Sequence, residues 1–167
     1  HVWIDRNTIT DAPVTDDTLP IENGKTKQCH DGAIDITRGG NYVSVTYNVF
    51  DRHDKTMLIG HSDSNTADIG RLKVTIANNV FTAITQRAPR VRFGQVHVFN
   101  NYHVGSKTAS VYAHSYSSGV GIGGQIISTA NVFEIAGATG CASVVTTLSP
   151  NAVSAFSDTG SVLNGAA

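Results

Sequence analysis

Three arginines, Arg87, Arg90 and Arg92, fall within the eight-residue segment Arg87–Gly94, RAPRVRFG. Guanidinium is planar, permanently charged and forked, a geometry that takes carboxylates two oxygens at a time. The whole chain has only 12 Lys+Arg in 167 residues, so this clustering points to a device for holding a polyanion. Upstream, the run HDGAID places Asp31 and Asp35 at i and i+4. On a fully extended strand these face one side about 13 Å apart; a turn at Gly32 would bring them together. Converging carboxylate oxygens suit a hard cation such as Ca2+, with waters, other carboxylates or substrate completing the shell. Taken alone, the pair also fits two solvated acids beside a turn. No EF-hand loop is present, so a calcium site must draw ligands from separate segments or from substrate. Between these segments lies HDKTMLIGHSDS (His53–Ser64), with Lys55 just ahead of the apolar run Met57–Ile59. A single lysine is a solvated charge unless the fold brings it to the acids and arginines.

A repeat supplies the means to do so. Short β-branched runs recur and each meets an asparagine: VSVTYNVF (Val43–Phe50), KVTIANNVF (Lys73–Phe81), QVHVFNNYHV (Gln95–Val104) and IISTANVF (Ile126–Phe133). Aligning Asn48, Asn79, Asn101 and Asn131 gives spacings of 31, 22 and 30 residues. Self-similarity at this period marks stacked coils. Alternation within the runs sets Val43, Val45 and Tyr47, then Val74 and Ile76, then Val96 and Val98, on one face, so that each coil buries an aliphatic row against the next. Asparagine tolerates the left-handed backbone of a sharp corner and its amide can bond to the coil above, so these asparagines read as a structural ladder. No amphipathic helix is apparent and Gly119–Gly124 reads as a turn or loop. The fold class is all-β: a right-handed parallel β-helix of roughly 20–30 residues per coil. Residues one coil apart become neighbours, so Asp35, Lys55 and Arg87 are expected to line one sheet edge, acids on one side and cations on the other. Such a groove suits a chain of linked sugar carboxylates better than a neutral polymer.

Composition narrows the class further. The formal net charge is −1 and the isoelectric point about 6.7, so no basic field points to nucleic acid. No run of 18 apolar residues suggests a membrane-spanning helix. Cys29 and Cys141 could pair with each other, pair elsewhere or stay reduced. The histidines show no zinc spacing and read as packing or turn residues. Trp3 is expected in the core rather than as a sugar platform, and Tyr112 and Tyr116 are weaker candidates for stacking on a sugar ring.

In this order and spacing, HDGAIDI, HDKTMLIGHSDS and RAPRVRFG resemble the motifs of the bacterial pectate lyases of polysaccharide lyase family 1. The opening VWID (Val2–Asp5) resembles a further signature of that family. The likeness is dense from His1 to about Gly105 and thins beyond, where ANVF and FSDTGSVLNG carry it. It implies a calcium-dependent lyase that cleaves de-esterified polygalacturonate by β-elimination. Arg87 matches the arginine that takes the C5 proton, Arg92 and Lys55 match cations that bind substrate carboxylates, and Asp31 and Asp35 match two calcium-coordinating acids. A secreted, monomeric enzyme follows from the same resemblance, with plant pectin as its partner and neither nucleic acid nor membrane. The alternatives are a pectin lyase, acting on methylated polymer without calcium, and an inactive polygalacturonate-binding β-helix.

The chain departs from the family pattern in three places. Arg6 follows VWID where the family has histidine, which implies a packing change rather than a catalytic one. Thr37, followed by Arg38, stands where the family often has lysine, which bears on one substrate subsite. The family also places a further calcium-binding acid ahead of VWID. Residues 1–167 are therefore expected to be the C-terminal portion of a longer β-helix domain, the remainder lost or carried as a separate chain.

Overall fold

The computed structural model describes residues 1–28, 30–149 and 153–166. One face of the fold is a six-stranded, all-parallel sheet: Val2–Asp5, Val43–Thr46, Lys73–Ala77, Gln95–Phe99, Gln125–Thr129 and Ala155–Thr159, stacked in chain order. A second face stacks Thr8–Thr10, the first part of Val49–Ile59, Val80–Gln86, Tyr102–Ser106, Val132–Ala136 and Val162–Leu163. A third stacks Gly32–Ile36, the end of Val49–Ile59, Arg90–Val91, Ser118–Val120 and Val145–Thr147. The 11-residue strand Val49–Ile59 runs unbroken from the second face onto the third. The chain thus winds as a right-handed parallel β-helix, the hand that parallel crossovers nearly always take.

Period-2 alternation drives this winding. On the first face Val43, Val74, Val96 and Ile126 stack inward, as do Val45, Ile76 and Val98, all 5% exposed or less. On the third face Ile36, Ile59, Val91 and Val120 form the matching row. The second face contributes Phe50, Phe81, His103 and Phe133, whose rings stack at centroid separations of 4.9, 4.6 and 4.6 Å. Each such ring buries large apolar area against the coil below.

The asparagine ladder forms as the repeat predicts, with one refinement. The backbone N–H groups of Asn7, Asn48, Asn79 and Asn101 donate to the side-chain oxygens of Asn48, Asn79, Asn101 and Asn131 at 2.9, 2.9, 3.0 and 3.0 Å. Ser161 Oγ ends the series, accepting from Asn131 N at 3.1 Å. The ladder residue is not the one in the left-handed conformation. That falls one position earlier, at Arg6, Tyr47, Asn78, Asn100, Ala130 and Gly160. The positive φ turns the chain, and the following side chain then points inward along the stack.

Several expectations are corrected. Tyr47 sits at this left-handed corner and is exposed, not in the row with Val43 and Val45. Trp3 is 74% exposed: it pairs with Ser44 on the outward parity of its strand while Ile4 packs against the core. A one-position difference in parity decides the face. The Gly119–Gly124 segment begins within a strand, Ser118–Val120. Tyr112 and Tyr116 are buried, so neither offers a ring face to a sugar. Arg6 pairs with Asp5 and lies over the Tyr47 ring, at the corner of the first face. Cys29, and with it the cysteine pairing, lies outside the described residues.

Two outcomes test this packing. Asn79→Ala removes the acceptor for Asn48 N–H and the donor to Val45 C=O, the latter at 2.9 Å. It should cost about 3 kcal/mol in urea denaturation; a loss below about 0.5 kcal/mol would show the ladder to be dispensable. Burial, reinforced by His114, pushes His103 down to about 3. Unfolded chains therefore bind a proton between about pH 6.5 and 3 that the folded protein refuses, and stability falls as pH drops through that window. His103→Phe should extend the aromatic stack and flatten the decline in melting temperature over this range.

Candidate active site

The predicted site residues gather where the strand Val49–Ile59 passes from the second face to the third. Register places Lys55 between Gly32 of the preceding coil and Gln86 of the following one. Asp31 precedes Gly32 and Arg87 follows Gln86, so Asp31, Lys55 and Arg87 occupy three successive coils, spanning about 10 Å at the usual strand spacing. The repeat predicts Asp35 beside Lys55 and Arg87 at a sheet edge; the structure instead brings Asp31 to Lys55, in the interior of a sheet. Asp35 occupies a second row, in register with Leu58 and, one coil further, with Arg90.

Asp31 and Asp35 do not meet through a turn. Gly32–Ile36 is a strand, and Asp35 reaches back along it: a Cβ added to Gly32 would lie 2.5 Å from Asp35 Oδ1. Glycine here leaves room for the Asp35 carboxylate rather than making a bend. The two carboxylates are both solvent-exposed. They are hard oxygen donors with room for water and a ligand carboxylate around them, which fits part of a calcium shell of six to eight oxygens. No group of three or more potential metal-binding side chains occurs among the described residues.

Lys55 Nζ donates to Asp31 Oδ1 at 2.8 Å and to Gln28 Oε1 at 2.7 Å. The hydrogen bond and charge of Lys55, with a smaller contribution from Arg87, hold the Asp31 carboxyl below the usual carboxylate range. Gln28 is fixed in turn by Asp54, which also accepts from Gln86 Nε2 at 3.1 Å. Gln28 and Asp54 thus support Lys55 from behind. Neither stands out in the sequence, because Gln28 belongs to a segment with no repeat and Asp54 resembles any exposed acid next to a lysine.

The arginines differ in how they are held. Arg92 donates through Nε to Asp63 and through Nη1 to Gly60 O at 3.0 Å, and its backbone N–H bonds Ile59 O at 2.8 Å. The Asp63 partner lies in the HDKTMLIGHSDS motif, but its role is visible only once the coils are stacked. Arg87 adopts φ 61°, and its carbonyl accepts from Met57 N at 2.6 Å. Among the described residues neither Arg87 nor Arg90 has an ion-pair partner, and the Nε of each is buried without a hydrogen-bond acceptor. Two guanidinium groups without ion-pair partners among the described residues, beside one lysine and two acids, make a surface suited to an anion.

This parallel β-helix, with cations on successive coils beside the carboxylates of Asp31 and Asp35, matches one family of known proteins. The pectate lyase family profile matches residues 1–167. The chain is 49% identical to pectate lyase A of Dickeya chrysanthemi over all of its own length and 42% of that protein. It is 43% identical to a pectate lyase of Bacillus subtilis, covering 99% of this chain and 39% of that one. A solved pectate lyase bound to a hexasaccharide superposes with a TM-score of 0.94 at 42% identity, over 99% of this chain and 41% of that chain. Another, described for the substrate specificity and anti β-elimination mechanism of pectate lyase, does so at 0.95 and 41% identity, over 100% and 41%. The protein belongs to the pectate lyase family. It spans about two fifths of the length of these relatives.

The Lys55–Asp31 pair has a direct signature. Lys55→Met should move the Asp31 titration upward toward the ordinary carboxylate range in side-chain carbonyl NMR. An unmoved midpoint would show that the two groups do not interact in solution.

Proposed function

We propose that the chain contributes the active cleft of a calcium-dependent pectate lyase acting on de-esterified polygalacturonate. The observation that carries this reading is the unpaired Arg87 guanidinium, flanked by Lys55 and Arg92 and separated by coil spacing from Asp31 and Asp35. Arg87 is the base: in its neutral, deprotonated form it takes the proton from C5 of a galacturonate and becomes the guanidinium cation. The electron pair of that C–H bond becomes the C4–C5 double bond, the C4–O bond breaks, and the leaving oxygen acquires a proton from solvent. No water is added to the sugar, so the two-carboxylate arrangement of hydrolases is not needed. The products are oligogalacturonates with an unsaturated end.

A proton beside a carboxylate is weakly acidic because its removal adds charge next to an anion. Lys55 and Arg92 oppose that accumulation by binding substrate carboxylates, Arg92 in an orientation fixed by Asp63 and Gly60. Asp31 and Asp35 would hold calcium, and the chemistry a bound ion supplies is neutralisation of the substrate carboxylate, a Lewis-acid role. The acids also favour pectate over pectin, since a methyl ester has no charge to neutralise. Pectin is a plant cell-wall polymer, so the reading carries secretion with it. The family membership and the relative studied for anti β-elimination support the reaction class.

The test is ultraviolet absorbance from the unsaturated product, with calcium and then with chelator. Product should form on polygalacturonate only with calcium. Arg87→Lys should lower turnover by about 10²–10⁴, the range for loss of a general base, while oligogalacturonate binding persists. Guanidinium groups release protons only in strongly alkaline solution, so turnover should climb with pH. Binding without product from folded protein would favour a non-catalytic module.

A further inference from the structure

Arg90 stands at the centre of the arginine cluster and has no part in the elimination described above. It occupies the outward position of the strand Arg90–Val91, in register with Leu58 on one side and Gly119 on the other. Val91, its neighbour, is fully buried, so Arg90 points outward, and Arg92 follows just beyond the strand with its own guanidinium held by Asp63 and Gly60. Two separately held guanidinium groups can each take a carboxylate.

The surroundings of Arg90 are unusual for an arginine. It is half-buried, its Nε lacks a hydrogen-bond acceptor, and among the described residues no carboxylate reaches it. The acid that acts on it electrostatically, Asp63, is already engaged by Arg92. Burial and the charges of Arg92 and Arg87 all press its pKa downward. The absence of a side chain at Gly119 lets the Tyr116 ring fold over the adjacent strand: a Cβ there would lie 2.7 Å from Tyr116 Cε2 and 2.9 Å from Leu148 Cδ1. Buried Tyr116 limits the solvent available to the guanidinium. A charge kept partly dry and unpaired is destabilising, unless an anion arrives to pair with it.

We propose that Arg90 is a further substrate-binding residue, taking the free carboxylate of a uronate neighbouring the one that undergoes elimination, and that it makes the cleft discriminate free from esterified carboxyl groups. This rests on the pectate reading above. A guanidinium fork gains two charge-assisted bonds from a carboxylate and loses them to a methyl ester, and a site built for such bonds rejects the analogue lacking them.

The experiment compares wild type, Arg90→Met, Arg90→Lys and Arg92→Met by calorimetric binding of de-esterified and fully methyl-esterified oligogalacturonates in calcium, with thermal melting of each variant. Arg90→Met should weaken binding of the de-esterified oligomer about tenfold, leave the weaker binding of the ester within about twofold, and raise the melting temperature because an unpaired charge is gone. Arg90→Lys, which keeps the charge but not the fork, should fall between, and it decides the matter if the methionine variant does not fold. Unchanged affinity in Arg90→Lys, or in Arg90→Met with a lowered melting temperature, would assign Arg90 a structural role and overturn the proposal. If Arg92→Met weakens binding and neither Arg90 variant does, the Arg90 assignment alone fails. If wild type binds no de-esterified oligomer, the pectate reading falls and this inference with it.

Discussion

Parallel pairing between successive coils, in a register that cannot slip, is the constraint on which everything else in this molecule depends. A one-residue shift between two coils would exchange inward and outward side chains along the whole strand. It would bury Lys55 or Arg90 and expose Val91 or Ile59. The register is held by unlike interactions at different corners: buried asparagine amides beside the first face, an aromatic stack on the second and a branched aliphatic row on the third. Dispersion and the hydrophobic effect exclude a one-residue shift, but they discriminate less sharply against a shift of two, which keeps each side chain on its own face. The asparagines are directional, and a ladder offset by one residue would leave buried amides without partners.

That division explains the charge distribution. Inside the helix the asparagine amides are bonded to the coils on either side, although Thr56 Oγ1 and His103 Nε2 are buried without a partner. The charged surface at the junction of the second and third faces is the reverse. Lys55 has Asp31 and Arg92 has Asp63, whereas Arg87 and Arg90 remain without counter-ions among the described residues. A rigid scaffold can hold like charges together at a cost that a flexible loop would relieve by moving apart. The strained electrostatics are therefore sustained by the same coil register that makes the interior so regular.

Much of this was legible in the sequence, for identifiable reasons. Asn48, Asn79, Asn101 and Asn131 could be aligned because the strand before each is short and β-branched, so the coil architecture followed from a period. Asp31, Lys55, Arg87 and Arg92 lay in motifs whose order survives in the structure. Parity was harder. Trp3 and Tyr47 look like core residues by type, yet strand alternation and a left-handed corner turn them outward. The route by which Asp35 approaches Gly32 was hidden because a glycine between two acids suggests a bend, when its use is to leave space on a straight strand. Gln28 and Asp63 were invisible as supports, since a partner contributed from a loop or another coil has no fixed sequence offset.

The unbroken strand Val49–Ile59 carries a further consequence. Lys55 lies seven residues beyond the ladder position Asn48, and Gln86, the residue beside Arg87, lies seven beyond Asn79. Both coils thus measure the same distance from their asparagine to the cleft, so the ladder acts as the origin of a ruler that sets where functional side chains emerge. Insertions can accumulate in the segments between Gly60 and Leu72, or between Lys107 and Ser117, without changing that measurement. A single residue added between Asn48 and Lys55 would displace a cation by a full strand position. The fold therefore separates a stretch closed to length variation from stretches open to it. New walls for the cleft can arise in the open stretches while the spacing of the reacting groups is conserved by geometry alone.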